Sequence, residues 1–171
     1  MVLFGPARGP GFVVRLLQRL VSLRFWLRTA LGLAMLGLVI VPALADLVNA
    51  VTKTAQSDEG SCRILNVIDG DTITLMCGES GIGRAQIQGY DTPQTYAPHC
   101  VGEFLAAEQA AWDLRTLIQK ADRIEIVHQG MNQDGPALVS ITLDGIDLSR
   151  LMVRTGHARA YGGGPRAVWC L

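Results

Sequence analysis

The first 45 residues of this 171-residue chain contain five arginines and no acidic residue. The last two of these arginines, Arg24 and Arg28, precede an uncharged apolar stretch, ALGLAMLGLVIVPALA, that ends at Ala45. A basic segment followed by an apolar one is typical of a sequence that enters a membrane during export or stays in it. This leader, residues 1–45, therefore leaves the rest of the chain to build one folded domain.

Two interpretations of the leader stay open. Ala43 and Ala45 form an A-x-A cleavage site before Asp46, which is typical of a signal peptide. Alternatively, the leader is an uncleaved anchor, because its basic region is long and apolar residues after Asp46 extend the span toward the roughly 20 residues that a bilayer requires. Both predict an exported domain, periplasmic or otherwise extracytoplasmic, and the membrane becomes a partner if the leader is retained.

The zero net charge of the chain hides a difference between its two parts. After the leader there are 10 basic and 15 acidic residues, which gives a net charge of about −5. Broad capture of nucleic acid requires clustered lysines and arginines that face phosphates. We therefore expect any contact with a phosphate to be local.

The pattern of strands and helices after the leader predicts a small barrel. Residues 46–61 are polar and small, which indicates a linker, so the domain is expected over 62–171. The predicted order is β-β-β-α-β-β-α, which favours a mainly β fold with helices (α+β), a monomeric five-stranded barrel of the OB type with two packed helices. The predicted strands are 63–68, 72–76, 85–90, 123–128 and 137–143, and the predicted helices are 102–120 and 148–154.

The cysteines all follow the leader, so two disulfides are predicted for an exported chain. The turn Asp69-Gly70-Asp71 makes a hairpin of the first two strands, and counting outward from it places Cys62 opposite Cys77. Opposed residues have Cα atoms about 4.5 to 5.5 Å apart, within the range of a disulfide. That pairing leaves Cys100 with Cys170. A zinc site has no support from the spacing of the cysteines and histidines.

Three segments of the chain resemble a known family. VIDGDTITLMC, QIQGYDTPQ and NQDGPALVSITLDG, the last followed by LMVRTGHARAY, resemble the successive motif regions of the thermonuclease (staphylococcal nuclease-like) family. The resemblance covers roughly residues 62–161 and implies Ca²⁺-dependent hydrolysis of phosphodiester bonds in DNA or RNA. It also implies that Asp71, Asp91 and the backbone carbonyl of Thr92 hold the Ca²⁺, a hard cation that prefers oxygen ligands.

Three positions depart from the pattern that this resemblance implies. Gln94 replaces the glutamate that acts as base toward the attacking water, and an amide cannot accept that proton. General-base catalysis is typically worth 10² to 10⁴-fold. Gln86 and Pro136 replace two arginines, whose contribution to phosphoryl transfer can reach about 10³ to 10⁵-fold. The expected catalytic side chains are therefore incomplete.

Two other arginines are candidates to replace the lost guanidinium groups. Arg84 lies two residues before Gln86, so in a continuous strand its side chain points to the same face, about 6.6 Å away. Arg166, in the C-terminal tail, is the second candidate. The sequence thus supports an impaired phosphodiesterase acting on single-stranded DNA or RNA, or a non-catalytic exported domain that binds metal, ligand or protein. A structural envelope module is a third hypothesis, supported only by the leader and the cysteines.

Overall fold

The computed structural model of the chain describes residues 23–58, 60–78, 81–131, 135–164, 166 and 168–170. The first part of the predicted leader, 1–22, lies outside these residues, as does the start of the third motif region, 132–134. The chain divides into two compact units, Met1–Val41 and Pro42–Leu171. This division falls inside the predicted leader, 1–45.

Helix α1, Leu23–Thr52, contains the whole apolar part of the leader. Its stretch Arg24–Thr52 has 29 residues with a mean hydropathy of 2.3, which is long and apolar enough to cross a membrane. Leu33 and Leu38 are 69% and 73% exposed, and many other apolar side chains of this helix are also exposed. A signal sequence and an anchor both have this length and composition, so both interpretations of the leader stand.

The second unit contains a closed β-barrel. Its strands are β1 Ala55–Ser57, β2 Gly60–Val67, β3 Thr72–Cys77, β4 Gly81–Ile87, β6 Ile124–Met131 and β7 Ala137–Leu143. They follow the ring order β4-β3-β2-β1-β6-β7, and parallel pairing of β4 with β7 closes the ring. Strand β8, Ile146–Asp147, extends the sheet beside β7, whereas β5, Tyr90–Asp91, pairs with β9, Arg159–Ala160.

The predicted mixed fold, a β-barrel with packed helices, is confirmed, but the ring has six strands among the described residues rather than the predicted five. The additional strand is β1, which belongs to the segment 46–61 that was predicted to be a linker. This short strand pairs with β2 on one side and with β6 on the other. Its sequence, Ala-Gln-Ser, is too short to show an apolar alternation, so the sequence gives no strand signal there. Only Ala55 of the three is buried.

The beginning of the same segment is also structured. Asp46 lies in α1, is 7% exposed, and accepts a hydrogen bond of 3.0 Å from Nε of Arg115. A second nitrogen of this guanidinium donates to the carbonyl of Val67 at 2.7 Å. Because a buried charge is stable only when it is paired and hydrogen-bonded, this contact ties Asp46 to the domain rather than to a linker.

The core fills the barrel and extends under the helices. On β3, the side chains of Ile73, Leu75 and Cys77 are buried at alternate positions, as expected for a strand with one face inward. Helix α2, Val101–Lys120, and helix α3, Leu148–Thr155, cover the barrel. Their buried apolar residues are Ala107, Ala110, Ala111, Leu114, Ile118, Leu148 and Met152.

Both predicted disulfides are confirmed. Cys62 and Cys77 face each other across β2 and β3 with Cα atoms 4.2 Å apart. Cys100, at the N-cap of α2, is bonded to Cys170 across a sequence separation of 70 residues. The second bond fastens the C-terminal tail, residues 162–170, to the barrel.

Candidate functional site

The tip of the β2–β3 hairpin is held in a fixed conformation by hydrogen bonds. The amides of Ile68 and Asp69 both donate to the carbonyl of Thr72, at 2.8 and 3.1 Å. The buried hydroxyl of Tyr90 donates to the carbonyl of Gly70 at 2.8 Å. Burial raises the pKa of this phenol well above its usual value, so Tyr90 stays a neutral donor. The tip is therefore joined to strand β5.

Close packing also fixes the tip. A Cβ at Gly70 would lie 2.7 Å from Cβ of Ala110 in α2 and 2.9 Å from Cγ2 of Thr92. Real Cβ atoms essentially never approach so closely, so only glycine fits between the hairpin, the helix and the segment after β5. This packing and the bond from Tyr90 place Asp71, the next residue, close to β5.

Asp71 and Asp91, which we call the acid pair, are 4% and 2% exposed. Burial raises the pKa of the Asp71 carboxyl, and this effect is opposed by a 2.9 Å hydrogen bond from the Thr72 hydroxyl and by the charge of Arg166. Asp91 lies in β5, where it pairs with Arg159 of β9 in the strand register. Two buried carboxylates need a positive partner to remain charged.

One guanidinium supplies a positive partner for both acids. Nη2 of Arg166 lies 3.8 Å from Oδ2 of Asp71, and Nη1 lies 3.6 Å from Oδ1 of Asp91. Because a single side chain reaches both carboxylates, the two acids converge on one place. Both distances are longer than those of the hydrogen bonds at this site, so this is an ionic contact without direct hydrogen bonding.

The C-terminal tail is held at the acid pair by further contacts. Nε1 of Trp169 donates to Oδ2 of Asp91 at 3.4 Å. The guanidinium of Arg159 stacks over the Trp169 ring, 4.3 Å from its centroid, in a cation–π contact. The next residue in the chain, Cys170, is bonded to Cys100. The tail is thus tied down covalently and electrostatically next to Asp91.

The structure brings only some of the side chains predicted to act with the acid pair close to it. Gln86 is half-buried on β4, and its amide donates to Oδ2 of Asp71 at 3.5 Å. Gln94 is exposed. Arg84 and Pro136 line a different cavity, which also contains Met131 and His128. Arg166, rather than Arg84, is therefore the arginine that contacts the acids.

A polar cavity is lined by Gln86 and Arg166, two residues that contact Asp71, although neither acid itself is part of its lining. It has a volume of about 580 Å³, within the range of small-molecule sites, and its lining includes Gln86, Ser140, Tyr161 and Arg166. The hydroxyl of Tyr161 donates to the carbonyl of Gly164, which orients its ring at the cavity wall. Amide, hydroxyl, aromatic and guanidinium groups thus face the same space.

The oxygen atoms beside the cavity fit a hard divalent cation. The acid pair supplies two carboxylates, and Thr92 lies next to Asp91 with a buried hydroxyl that has no hydrogen-bond partner among the described residues. Ca²⁺ accepts such oxygen ligands in a flexible shell. The two carboxylates therefore match the chemistry of Ca²⁺. The atom of Thr92 without a partner is its hydroxyl, whereas the predicted ligand was its backbone carbonyl, and Arg166 offsets one of the two negative charges.

A second cluster lies at the start of α2. The Oε2 atom of Glu103 accepts hydrogen bonds from the backbone amide of His99 at 2.7 Å and, when Nδ1 carries its hydrogen, from the His99 ring at 3.1 Å. The first of these bonds is the main cause that lowers the pKa of Glu103. The sulfur atoms of Cys100 and Cys170 lie close by. Since they are joined in a disulfide, they are not thiolate ligands, and we assign this cluster a structural role.

The family resemblance indicated the acid pair, and the sequence analysis named Arg166 as a candidate beside it, but nothing indicated the contact of Trp169. The segment GGGPRAVWC has no helical or strand period, so nothing in it predicts where Arg166 and Trp169 lie. The one usable signal was Cys170, which requires the tail to return to the domain.

No protein-family model matches this chain, and no curated protein matches it significantly. The class of protein is therefore defined by the fold and the site: a closed β-barrel with packed helices and two disulfides, in which one arginine contacts two buried carboxylates and lines a polar cavity.

Proposed function

We propose that this chain is an exported phosphodiesterase of the thermonuclease type, with strongly reduced turnover, that acts on single-stranded DNA or RNA. The observation that carries the proposal is the convergence of Asp71 and Asp91 on one place, buried beside a polar cavity. The motifs that resemble the thermonuclease family contribute both carboxylates. An OB-type barrel is part of the same proposal, and the closed barrel with packed helices supports it.

The chemistry of the site suits a phosphodiester. A divalent cation held by the acid pair and Thr92 would supply positive charge to a phosphate and activate a water molecule. Gln86 stands next to Asp71 and offers an amide donor to a phosphate oxygen. Tyr161 offers an aromatic face, and base stacking on such rings is worth about 1 to 3 kcal/mol per base with little sequence preference. The acidic balance of the domain restricts these contacts to the cavity.

Reduced turnover follows from the three departures from the family pattern. Gln94 cannot accept a proton, Gln86 carries no charge, and Pro136 has neither a charge nor a donor. Each loss is worth at least about 10²-fold in related chemistry, although such losses do not multiply. We expect cleavage to be at least about 10²-fold slower than in a chain with the full set of side chains.

A second candidate function, a non-catalytic binding domain, is favoured by Arg166. Its guanidinium already offsets one of the two negative charges of the acid pair, so the site depends less on a cation to bind a ligand. In this case the chain retains the barrel and the cavity but no hydrolysis.

The test is a cleavage assay on the exported chain, purified with both disulfides formed. Labelled single-stranded DNA is incubated with Ca²⁺, with and without chelator, for the natural chain and for the variant Gln94→Glu, Gln86→Arg, Pro136→Arg. We expect slow, chelator-sensitive cleavage that the triple variant accelerates at least about 10²-fold. Exposed Gln109→Glu adds the same charge as Gln94→Glu on the surface of α2 and is the matched control.

The outcomes separate the two candidates. Cleavage that Asp71→Asn abolishes supports the phosphodiesterase. Binding of the labelled strand, measured by fluorescence anisotropy, without cleavage in any variant supports the binding domain. Absence of both cleavage and binding contradicts a role in nucleic-acid chemistry.

A further inference from the structure

The acid pair has an internal positive charge that comes from a remote part of the chain. Arg166 lies 75 or more residues after Asp91 and Asp71, in a glycine-rich tail, yet its guanidinium spans both carboxylates at 3.6 and 3.8 Å. The side chains of Asp71 and Asp91 are 6% and 3% exposed, whereas the Arg166 side chain is 41% exposed. The acids are therefore fixed in the protein interior, and the arginine approaches them from the solvent side.

The tail is fastened on one side of Arg166 by bonds that do not involve the arginine itself. Trp169 contacts Asp91 and stacks under Arg159, and the disulfide from Cys170 to Cys100 follows directly. On the other side, the tail leaves strand β9 at Ala160. Both ends of the segment that carries Arg166 are thus attached, and the guanidinium is held at high local concentration near the acids.

We infer that Arg166 is the built-in counter-ion of the acid pair, that it competes with divalent cations for these carboxylates, and that the Cys100–Cys170 disulfide keeps it there. The inference rests on the proposed function only in assigning a divalent cation to the acid pair. The tail thereby sets the cation affinity of the site.

The physical basis is competition for the same charge. A cation coordinated by Asp71 and Asp91 and the guanidinium of Arg166 would repel each other at short range, so each weakens the binding of the other. The arginine makes ionic contacts but no direct hydrogen bonds to the acids, which lets it withdraw without leaving donors unpaired in the interior. Its half-exposed side chain has solvent to move into.

The first test measures Ca²⁺ affinity by isothermal titration calorimetry on the full exported chain. We expect Arg166→Gln to bind Ca²⁺ about 5- to 150-fold more tightly than the natural chain, the usual range for coupling between sites. Arg63→Gln, which removes an exposed arginine from β2, is the matched control and should change the affinity by less than about twofold. The double variant Cys100→Ala, Cys170→Ala should also bind more tightly than the natural chain.

The results that would overturn the inference differ from those that would overturn the proposed function. Equal, measurable Ca²⁺ affinity in the natural chain and in Arg166→Gln would reject the competition while leaving the cation site in place. No Ca²⁺ binding by any variant would reject the competition and also the Ca²⁺-dependent function.

A second measurement needs no cation. In chelator, Arg166→Gln leaves two buried carboxylates without their guanidinium, so its melting temperature should fall relative to that of Arg63→Gln. Adding Asp71→Asn removes one of the two charges and should recover most of the loss, because the two substitutions act on one interaction. An unchanged melting temperature in Arg166→Gln, or a loss that Asp71→Asn does not recover, would reject the counter-ion.

Discussion

The two sides of the acid pair are built differently. On the barrel side, Asp71 follows the tip of a hairpin. Hydrogen bonds and the close packing around Gly70 hold this tip in place. On the tail side, Arg166 and Trp169 come from a segment outside the barrel strands, attached by one disulfide and a few polar contacts. One side is rigid because of the packing of neighbouring strands and a helix, and the other because of a covalent bond between distant residues.

This difference indicates how the site can change charge without losing its shape. The carboxylates belong to the close-packed side, so we expect their positions to survive the loss of any single tail contact. The positive charge belongs to the attached side, where its presence depends on the oxidation of Cys100 and Cys170. The geometry and the electrostatics of the site are thus determined by separate parts of the molecule.

The largest expected effect is the loss of unfolding free energy when a disulfide is removed, and it should differ between the two disulfides. In the chain-entropy model, a bond that closes 70 residues contributes roughly 4 kcal/mol, against about 3 kcal/mol for one that closes 15. We therefore expect the pair Cys100→Ala, Cys170→Ala to lower the free energy of unfolding more than the pair Cys62→Ala, Cys77→Ala. Urea denaturation of both variants measures the difference. A smaller loss for the tail disulfide would mean that the tail does not unfold together with the barrel.

A substitution at Gly70 tests the rigidity of the barrel side. A methyl group there would overlap with Ala110 and Thr92, so Gly70→Ala should destabilise the domain by about 1 to 3 kcal/mol, the usual cost of overpacking. Gly83→Ala, on β4, meets no atom within 4 Å and is the control. If both variants unfold at the same urea concentration, the hairpin tip has room for a methyl group at position 70.

The barrel side was also the part that the sequence predicted well. Periodic apolar residues located the strands and α2 to within a few residues, because alternation and helical spacing are local signals. The Asp-Gly turn fixed the hairpin register, and with it the Cys62–Cys77 bond. The resemblance to the thermonuclease family then indicated Asp71 and Asp91 as candidates, although neither local pattern alone requires them to meet.

The rest depended on contacts between distant residues. Arg115 joins Asp46 across 69 positions, and the two residues of β9 pair with β5 across a similar distance. A pairing of this kind leaves no period in the sequence, and glycine-rich segments such as 162–164 permit many conformations. The position of Arg166 was therefore open until the fold brought the tail and the hairpin together.

The smallest expected effect lies where the two sides join. Glu103, in the first turn of α2, accepts the backbone amide of His99, and its Oε2 lies 3.9 Å from the sulfur of Cys170. A negative charge in the first turn of a helix contributes about 0.3 to 1 kcal/mol, and we expect Glu103→Gln to lose about this much at pH 7. Glu108→Gln, exposed in the middle of the same helix, is the control.

The pH dependence of this loss has a definite sign. The amide of His99 holds the pKa of the Glu103 carboxyl below its usual value of about 4.3, so the charged form is favoured in the folded protein. Its stabilising effect is complete above pH of about 5 and decreases as the pH falls through the lowered pKa. The difference in unfolding free energy between the natural chain and Glu103→Gln should therefore shrink between about pH 5 and pH 3. A difference that stays constant over this range would mean that the charge of Glu103 does not stabilise the junction between α2 and the tail.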